Sequence, residues 1–214
     1  MRQAFQDFMA QCPAIAILRG ITPAEVEQVC DVLFNAGMRL LEIPLNSPDV
    51  FNSIRLAARH CGDRMLVGAG TVLACEDVKN VQQAGGKFIV SPNTVPEVIR
   101  ATKQAGMISI PGFFTASEGF TAEQAGADYL KLFPAILGPN YIKDLKAVIK
   151  TPILAVGGVN IDNIPSFMKV CAGVGIGSAI YKPGKTLDEI RTAAEGIVKA
   201  TLGFQNQQQG GKQK

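Results

Sequence analysis

Tryptophan is absent from the 214 residues, and histidine occurs once, as His60. One imidazole makes a multi-histidine metal site impossible within a single chain, and leaves a Ser-His-Asp triad only if His60 serves it. His60 falls at the end of an expected helix, beside Arg59 and Cys61, where a solvated residue is the ordinary reading. Five cysteines (Cys12, Cys30, Cys61, Cys75 and Cys171) are odd in number, and none are paired as C-x-x-C. That is the pattern of free thiols in a reducing compartment, not of a disulfide framework or a zinc site. No apolar run approaches the ~20 residues of a membrane span. The N-terminal segment Met-Arg-Gln-Ala-Phe-Gln-Asp-Phe has an early acid and no long apolar core, so it is not expected to be a signal peptide. Net charge is only +3, with Lys212 and Lys214 among the contributors, and no basic stripe interleaves with aromatics. Neither nucleic acid nor a membrane is an expected partner. The expected location is the cytoplasm.

What is present is alternation. The chain is 47% hydrophobic with 22 glycines, enough for a sizeable core joined by many short connections. Apolar, strand-like runs occupy residues 14–18, 40–43, 65–69, 88–90, 108–110, 128–134, 153–156 and 174–177, and helical patterns follow each. Thr22, Pro23 and Glu25 form a helix-start signature, with Val26, Val29, Leu33 and Ala36 on one face. Further helices are expected over 76–84, 96–105 and 141–149, from Ser117-Glu118, and from about Asn163. Eight strand–helix units in this length predict an α/β fold, a (β/α)8 TIM barrel in a single domain over residues 1–204. A doubly wound sheet is the alternative. Its dinucleotide loop would have to be Gly68-Ala69-Gly70-Thr71, which lacks the third glycine. Residues 205–214, rich in Gln, Gly and Lys, are expected to form a disordered tail.

A barrel builds its site at the carboxyl ends of its strands. Those ends carry Arg19, Glu42, Thr71, Asn93, Pro111-Gly112, Lys131, Gly157-Gly158 and Gly177-Ser178. Side chains alternate along a strand. With Ile15 and Ile17 inward, Arg19 points inward; with Leu41 and Ile43 outward, Glu42 points inward. Leu130 and Leu132 outward put Lys131 inside as well. An ammonium is costly to bury, and a lysine whose pKa falls on burial is an amine able to attack a carbonyl. Lys131 lies in the aromatic-rich run Asp128-Tyr-Leu-Lys-Leu-Phe-Pro134, next but one to Phe133. Other readings stand beside this one. Lys131 snorkels to water, or forms a register-fixing salt bridge with Glu42; Arg19 caps a helix; the glycines are tight turns. The sharper reading takes Gly157-Gly158 and Gly177-Ser178 as a phosphate cradle of backbone N–H groups, since glycine lets an anion approach closely.

The segments I-L-R-G-I-T-P (17–23), L-E-I-P-L-N-S-P (41–48), G-A-G-T-V-L (68–73), L-K-L-F-P (130–134), G-P-N-Y-I-K (138–143), A-V-G-G-V (155–159) and G-I-G-S-A-I-Y (175–181) carry a family resemblance. The chain resembles the class I aldolases of 2-keto-3-deoxy-6-phospho sugar acids, the KDPG/KHG aldolases, along nearly its whole length outside the tail. The resemblance implies Lys131 as Schiff-base nucleophile and Glu42 as proton donor and acceptor. It implies substrate contacts from Arg19 and Thr71, and phosphate contacts from Gly158, Gly177 and Ser178. Gly157, Asn93, Pro111 and Phe133 are further candidates. It also implies a phosphorylated keto sugar acid as substrate, pyruvate and glyceraldehyde 3-phosphate as products, no cofactor or metal, and a homotrimer. Gluconate-type relatives carry an arginine shortly after the glutamate strand; here that region is Pro44-Leu45-Asn46, and the arginine is Arg19. That difference favours a 6-phosphogalactonate-type substrate, with 6-phosphogluconate or 4-hydroxy-2-oxoglutarate as alternatives. Phe113-Phe114 and the apolar Ala135-Ile136-Leu137 are departures able to reshape the pocket. A sugar-phosphate-binding barrel without lyase activity is the alternative of a different class.

Overall fold

Parallel strands covered on both faces are continuous apolar runs, and every residue of the first strand, Ala14-Ile-Ala-Ile17, is buried. The computed structural model describes residues 1–210. In chain order these form α1 (Arg2–Gln11), β1 (Ala14–Ile17), α2 (Val26–Asn35), β2 (Leu40–Pro44), α3 (Val50–Cys61), β3 (Leu66–Gly70), α4 (Cys75–Gln83), β4 (Phe88–Val90) and α5 (Pro96–Gln104). The second half adds β5 (Ile108–Ile110), β6 (Gly112–Phe113), α6 (Ala116–Ala125), β7 (Leu130–Leu132), α7 (Gly138–Leu145), β8 (Ile153–Val156), α8 (Ile164–Phe167), β9 (Gly173–Ile176) and α9 (Leu187–Gly210).

The described residues contain nine strands where the sequence predicts eight. Their order is β5-β4-β3-β2-β1-β9-β8-β7-β6, with every pair parallel. The sheet's two edges, β5 and β6, are therefore separated by one residue of chain, Pro111. The Ile110 carbonyl accepts from Ser91 N–H at 3.2 Å, and the Pro111 carbonyl accepts from Lys131 N–H at 2.8 Å. Proline brings no N–H to the ladder, so the strand is interrupted where it passes from one neighbour to the other. The result is a nearly closed α/β barrel in a single domain.

Two cores follow from side-chain alternation. Ile15, Leu40, Leu66, Phe88, Ile108 and Leu154 fill the barrel. Leu41, Ile43, Val67, Leu130 and Leu132 face outward and pack beneath the helices. The sequence reading contains no counterpart of α1. Only Phe5 and Met9, one turn apart, are buried in it, too sparse a stripe to stand out. Phe5 meets Phe88 edge-on at 5.5 Å between ring centres and Tyr129 at 5.1 Å. Because Phe88 and Tyr129 lie at or just before strand starts, α1 closes the amino-terminal end of the barrel and leaves the other end as the mouth.

Smaller differences have local causes. The first βα helix starts at Val26, not Pro23; the Glu25 carboxylate accepts from Thr22 N–H at 3.1 Å but also from the Tyr181 hydroxyl, so it serves two loops. The helix expected over 141–149 begins earlier, at Gly138, with Pro139 in its first turn, a position where a missing N–H costs nothing. α6 has the capping box of Thr115 and Glu118. α9 continues to Gly210, six residues into the segment expected to be disordered; glutamine is a fair helix former and extends an established helix. Residues 211–214 of that tail lie outside the described residues. No described helix is long and apolar enough to cross a membrane.

Candidate active site

Glu42 is the middle residue of β2. Its neighbours Leu41 and Ile43 pack outward, so the carboxylate turns into the barrel, 3% exposed. Lys131 is likewise the middle of β7, with Leu130 and Leu132 outward and 7% of its surface exposed. Both open onto a cavity of about 570 Å³ at the carboxyl ends of the strands. Arg19, Thr71, Phe133, Gly157, Gly158, Gly177 and Ser178 line the same cavity, so nine sequence candidates come together.

Two do not. Asn93 is exposed and outside the cavity wall. A Cβ on Gly112 would overlap the Pro92 carbonyl and press on the Asn93 backbone nitrogen, so the loop after β4 passes close against Gly112, the strand partner of Lys131. Pro111 is buried in the wall itself, its carbonyl engaged by the Lys131 N–H. Neither side chain is part of the lining of this cavity.

The electrostatics follow from burial. Desolvation pushes Lys131 below the usual lysine range, the Arg19 guanidinium pushes the same way more weakly, and the charge of Glu42 opposes both. Burial pushes Glu42 above the usual carboxylate range, against the pull of Lys131 and Arg19. Which influence dominates Lys131 is undetermined in the sequence; burial does. Among the described residues no ion pair within 4.0 Å joins the two. Glu42 Oε2 is buried without a hydrogen-bond partner. The Lys131 ammonium lies over the face of Phe133, 4.7 Å from Nζ to ring centre. The reading of this pair as a register-fixing salt bridge is thereby overturned. A buried, unpaired carboxylate oxygen costs stability and is free to take a proton.

Neighbouring backbone shapes the site around these two groups. A Cβ on Gly70 would overlap the Glu42 carboxylate, so β3 must end in glycine for Glu42 to lie where it does. Thr71, the next residue, has φ +59°, a left-handed conformation that is an outlier for a β-branched side chain and costs about 1–3 kcal/mol. Gly157 and Gly158 have φ +90° and +76°, turning their backbone at the cavity wall. Arg19 Nη1 donates to Asn46 Oδ1 at 2.7 Å, and Gly20 N–H donates to Ser47 Oγ at 2.9 Å. The loops after β1 and β2 are thus joined.

The strand-end reading misses Asn160, Tyr181, Lys182 and Pro183, which also line the cavity. They stand four to seven residues beyond their strands, where loop geometry alone decides direction; the only signal was that Tyr181 ends a matched segment. Among the described residues no group of three or more His, Cys, Asp or Glu side chains is placed to hold a metal ion.

A family profile described as KDPG and KHG aldolase matches residues 5–194. The 2-dehydro-3-deoxy-6-phosphogalactonate aldolase of Escherichia coli K12 is 44% identical over 197 residues, 90% of this chain and 96% of that one. A probable 2-dehydro-3-deoxy-6-phosphogalactonate aldolase of Rhizobium meliloti is 42% identical over 205 residues, 94% of this chain and 95% of that one. A solved structure described as native KDPGal superposes with a TM-score of 0.89 at 43% identity, covering 91% of this chain and 96% of its own.

Proposed function

The chain belongs to the KDPG and KHG aldolase family, and on that premise we propose that it is a class I, metal-independent aldolase. It cleaves 2-dehydro-3-deoxy-6-phospho-D-galactonate to pyruvate and D-glyceraldehyde 3-phosphate. The observation that carries this reading is a buried lysine with a depressed pKa and a buried carboxylate, unpaired with each other, facing one cavity. The strands are those of a (β/α)8 barrel, β5 and β6 counting as one strand broken at Pro111. A homotrimer in the cytoplasm is the working form that the family resemblance implies.

The Lys131 amine attacks C2 of the keto acid, and Glu42 supplies the proton with which the C2 oxygen leaves as water. The protonated imine is an electron sink. Glu42, now ionised, takes the proton of the C4 hydroxyl as the C3–C4 bond breaks, and glyceraldehyde 3-phosphate departs. The electron pair moves into the imine and leaves an enamine. Glu42 returns the proton to C3, and water hydrolyses the imine to pyruvate and free Lys131. A carboxyl group with a raised pKa suits both halves of this shuttle. Arg19 and Thr71 bind the keto-acid end, while Gly158, Gly177 and Ser178 bind the phosphate, with Gly157 and Phe133 shaping the wall.

Borohydride reduction in the presence of pyruvate tests the nucleophile. One pyruvate-derived group per chain is expected on Lys131, and none in Lys131→Met; unchanged labelling in that variant sinks the assignment. Comparing kcat/KM on the two C4 epimers of the substrate then tests the configuration. The position of Arg19 just after β1, held by Asn46, supports the galacto epimer, and a preference for the gluco epimer overturns it.

A further inference from the structure

The phosphate cradle assigned above is made of neutral groups: backbone N–H at Gly158, Gly177 and Ser178, and one hydroxyl. A phosphate monoester carries close to two negative charges at neutral pH, and dipoles alone leave much of that charge uncompensated. Three cations line the cavity: Arg19, Lys131 and Lys182. Lys131 is buried in the wall, and Arg19 is tied to Asn46 beside β2. Lys182 is on the same connection as Ser178, between β9 and α9.

The connection holds Lys182 in place from both sides. Tyr181 is 3% exposed, and its hydroxyl donates to Glu25 in the loop after β1. Pro183 lies against Gly20, where a Cβ would come within 2.9 Å of its ring. The Lys182 carbonyl accepts from Lys185 N–H at 3.1 Å, closing a turn. Lys185 has a structural employment of its own: its ammonium donates to the carbonyls of Ala179 and Ile180 at 2.9 and 3.3 Å. Lys182 has none. It is exposed, and among the described residues its ammonium takes part in no ion pair or side-chain hydrogen bond. An anchored backbone, an uncommitted ammonium and a place in the cavity wall separate this lysine from an ordinary solvated one.

We propose that Lys182 is a specificity-determining residue that receives the phosphate dianion of the substrate and so selects phosphorylated over unphosphorylated aldehydes. The inference rests on the aldolase reading above and goes beyond the glycine-serine cradle. The test runs in the synthetic direction, adding pyruvate to D-glyceraldehyde 3-phosphate or to D-glyceraldehyde. The readout is the ratio of the two kcat/KM values. In Lys182→Gln this ratio falls by about 10- to 100-fold, the range for losing one hydrogen bond to a charged group, and Lys182→Arg restores most of it. The inhibition constant of inorganic phosphate rises in parallel. A ratio unchanged in Lys182→Gln overturns the proposal, and so does an equal loss on both aldehydes, which marks a merely structural lysine. Pyruvate trapping on the wild-type chain separates the two readings. Its failure removes the aldolase mechanism, whereas trapping with an unchanged ratio removes only the role of Lys182.

Discussion

Burial and the Arg19 guanidinium both push Lys131 toward the neutral amine, and the charge of Glu42 pulls it back. Replacing Glu42 by glutamine therefore has two effects of known sign. The opposing charge is gone, so the Lys131 pKa falls further, and the pH midpoint for pyruvate trapping moves down. The proton shuttle is also gone, so cleavage turnover falls by about 10²–10⁴-fold. A pH series of trapping rates on Glu42→Gln, beside steady-state turnover, checks both; a midpoint that moves up contradicts the burial-dominated balance. The parity of Leu41-Glu42-Ile43 and Leu130-Lys131-Leu132 placed both groups in the barrel from sequence. Their relative strengths and their separation were not legible there, because desolvation depends on everything packed around a group and not on its strand neighbours.

At the scale of elements, the strands were easier to read than the helices and loops. A strand buried on both faces is an apolar run whatever it packs against, whereas α1 declares itself only by Phe5 and Met9. That helix has no part in the mouth, yet Phe5 is fully buried against Phe88 and Tyr129. Phe5→Ala is expected to cost about 3–5 kcal/mol of stability with kcat preserved, read by denaturant unfolding and steady-state kinetics. A loss of kcat with stability intact would place α1 in the catalytic apparatus instead. The loops show the reverse asymmetry. Asn93 and Pro111 follow strands as Thr71 does, but neither lines the cavity: Asn93 is exposed, and Pro111 is buried in the wall with its carbonyl engaged by Lys131 N–H.

Across the whole molecule, α1 closes one end of the barrel and the cavity that carries the chemistry opens at the other. The homotrimer proposed above predicts a native mass of three times the 22.7 kDa chain, measurable by light scattering; a single-chain mass overturns it. The sequence by itself determined the parallel α/β alternation, the inward parity of Glu42 and Lys131, and the family, because each is written in local periodicity or in short contiguous motifs. Only the tertiary structure decided how the barrel comes round at Pro111, that Glu42 and Lys131 stand apart rather than paired, and that Lys182 reaches the mouth. Those outcomes depend on hydrogen bonds, close approaches and desolvation among residues far apart in the chain, and no local pattern carries them.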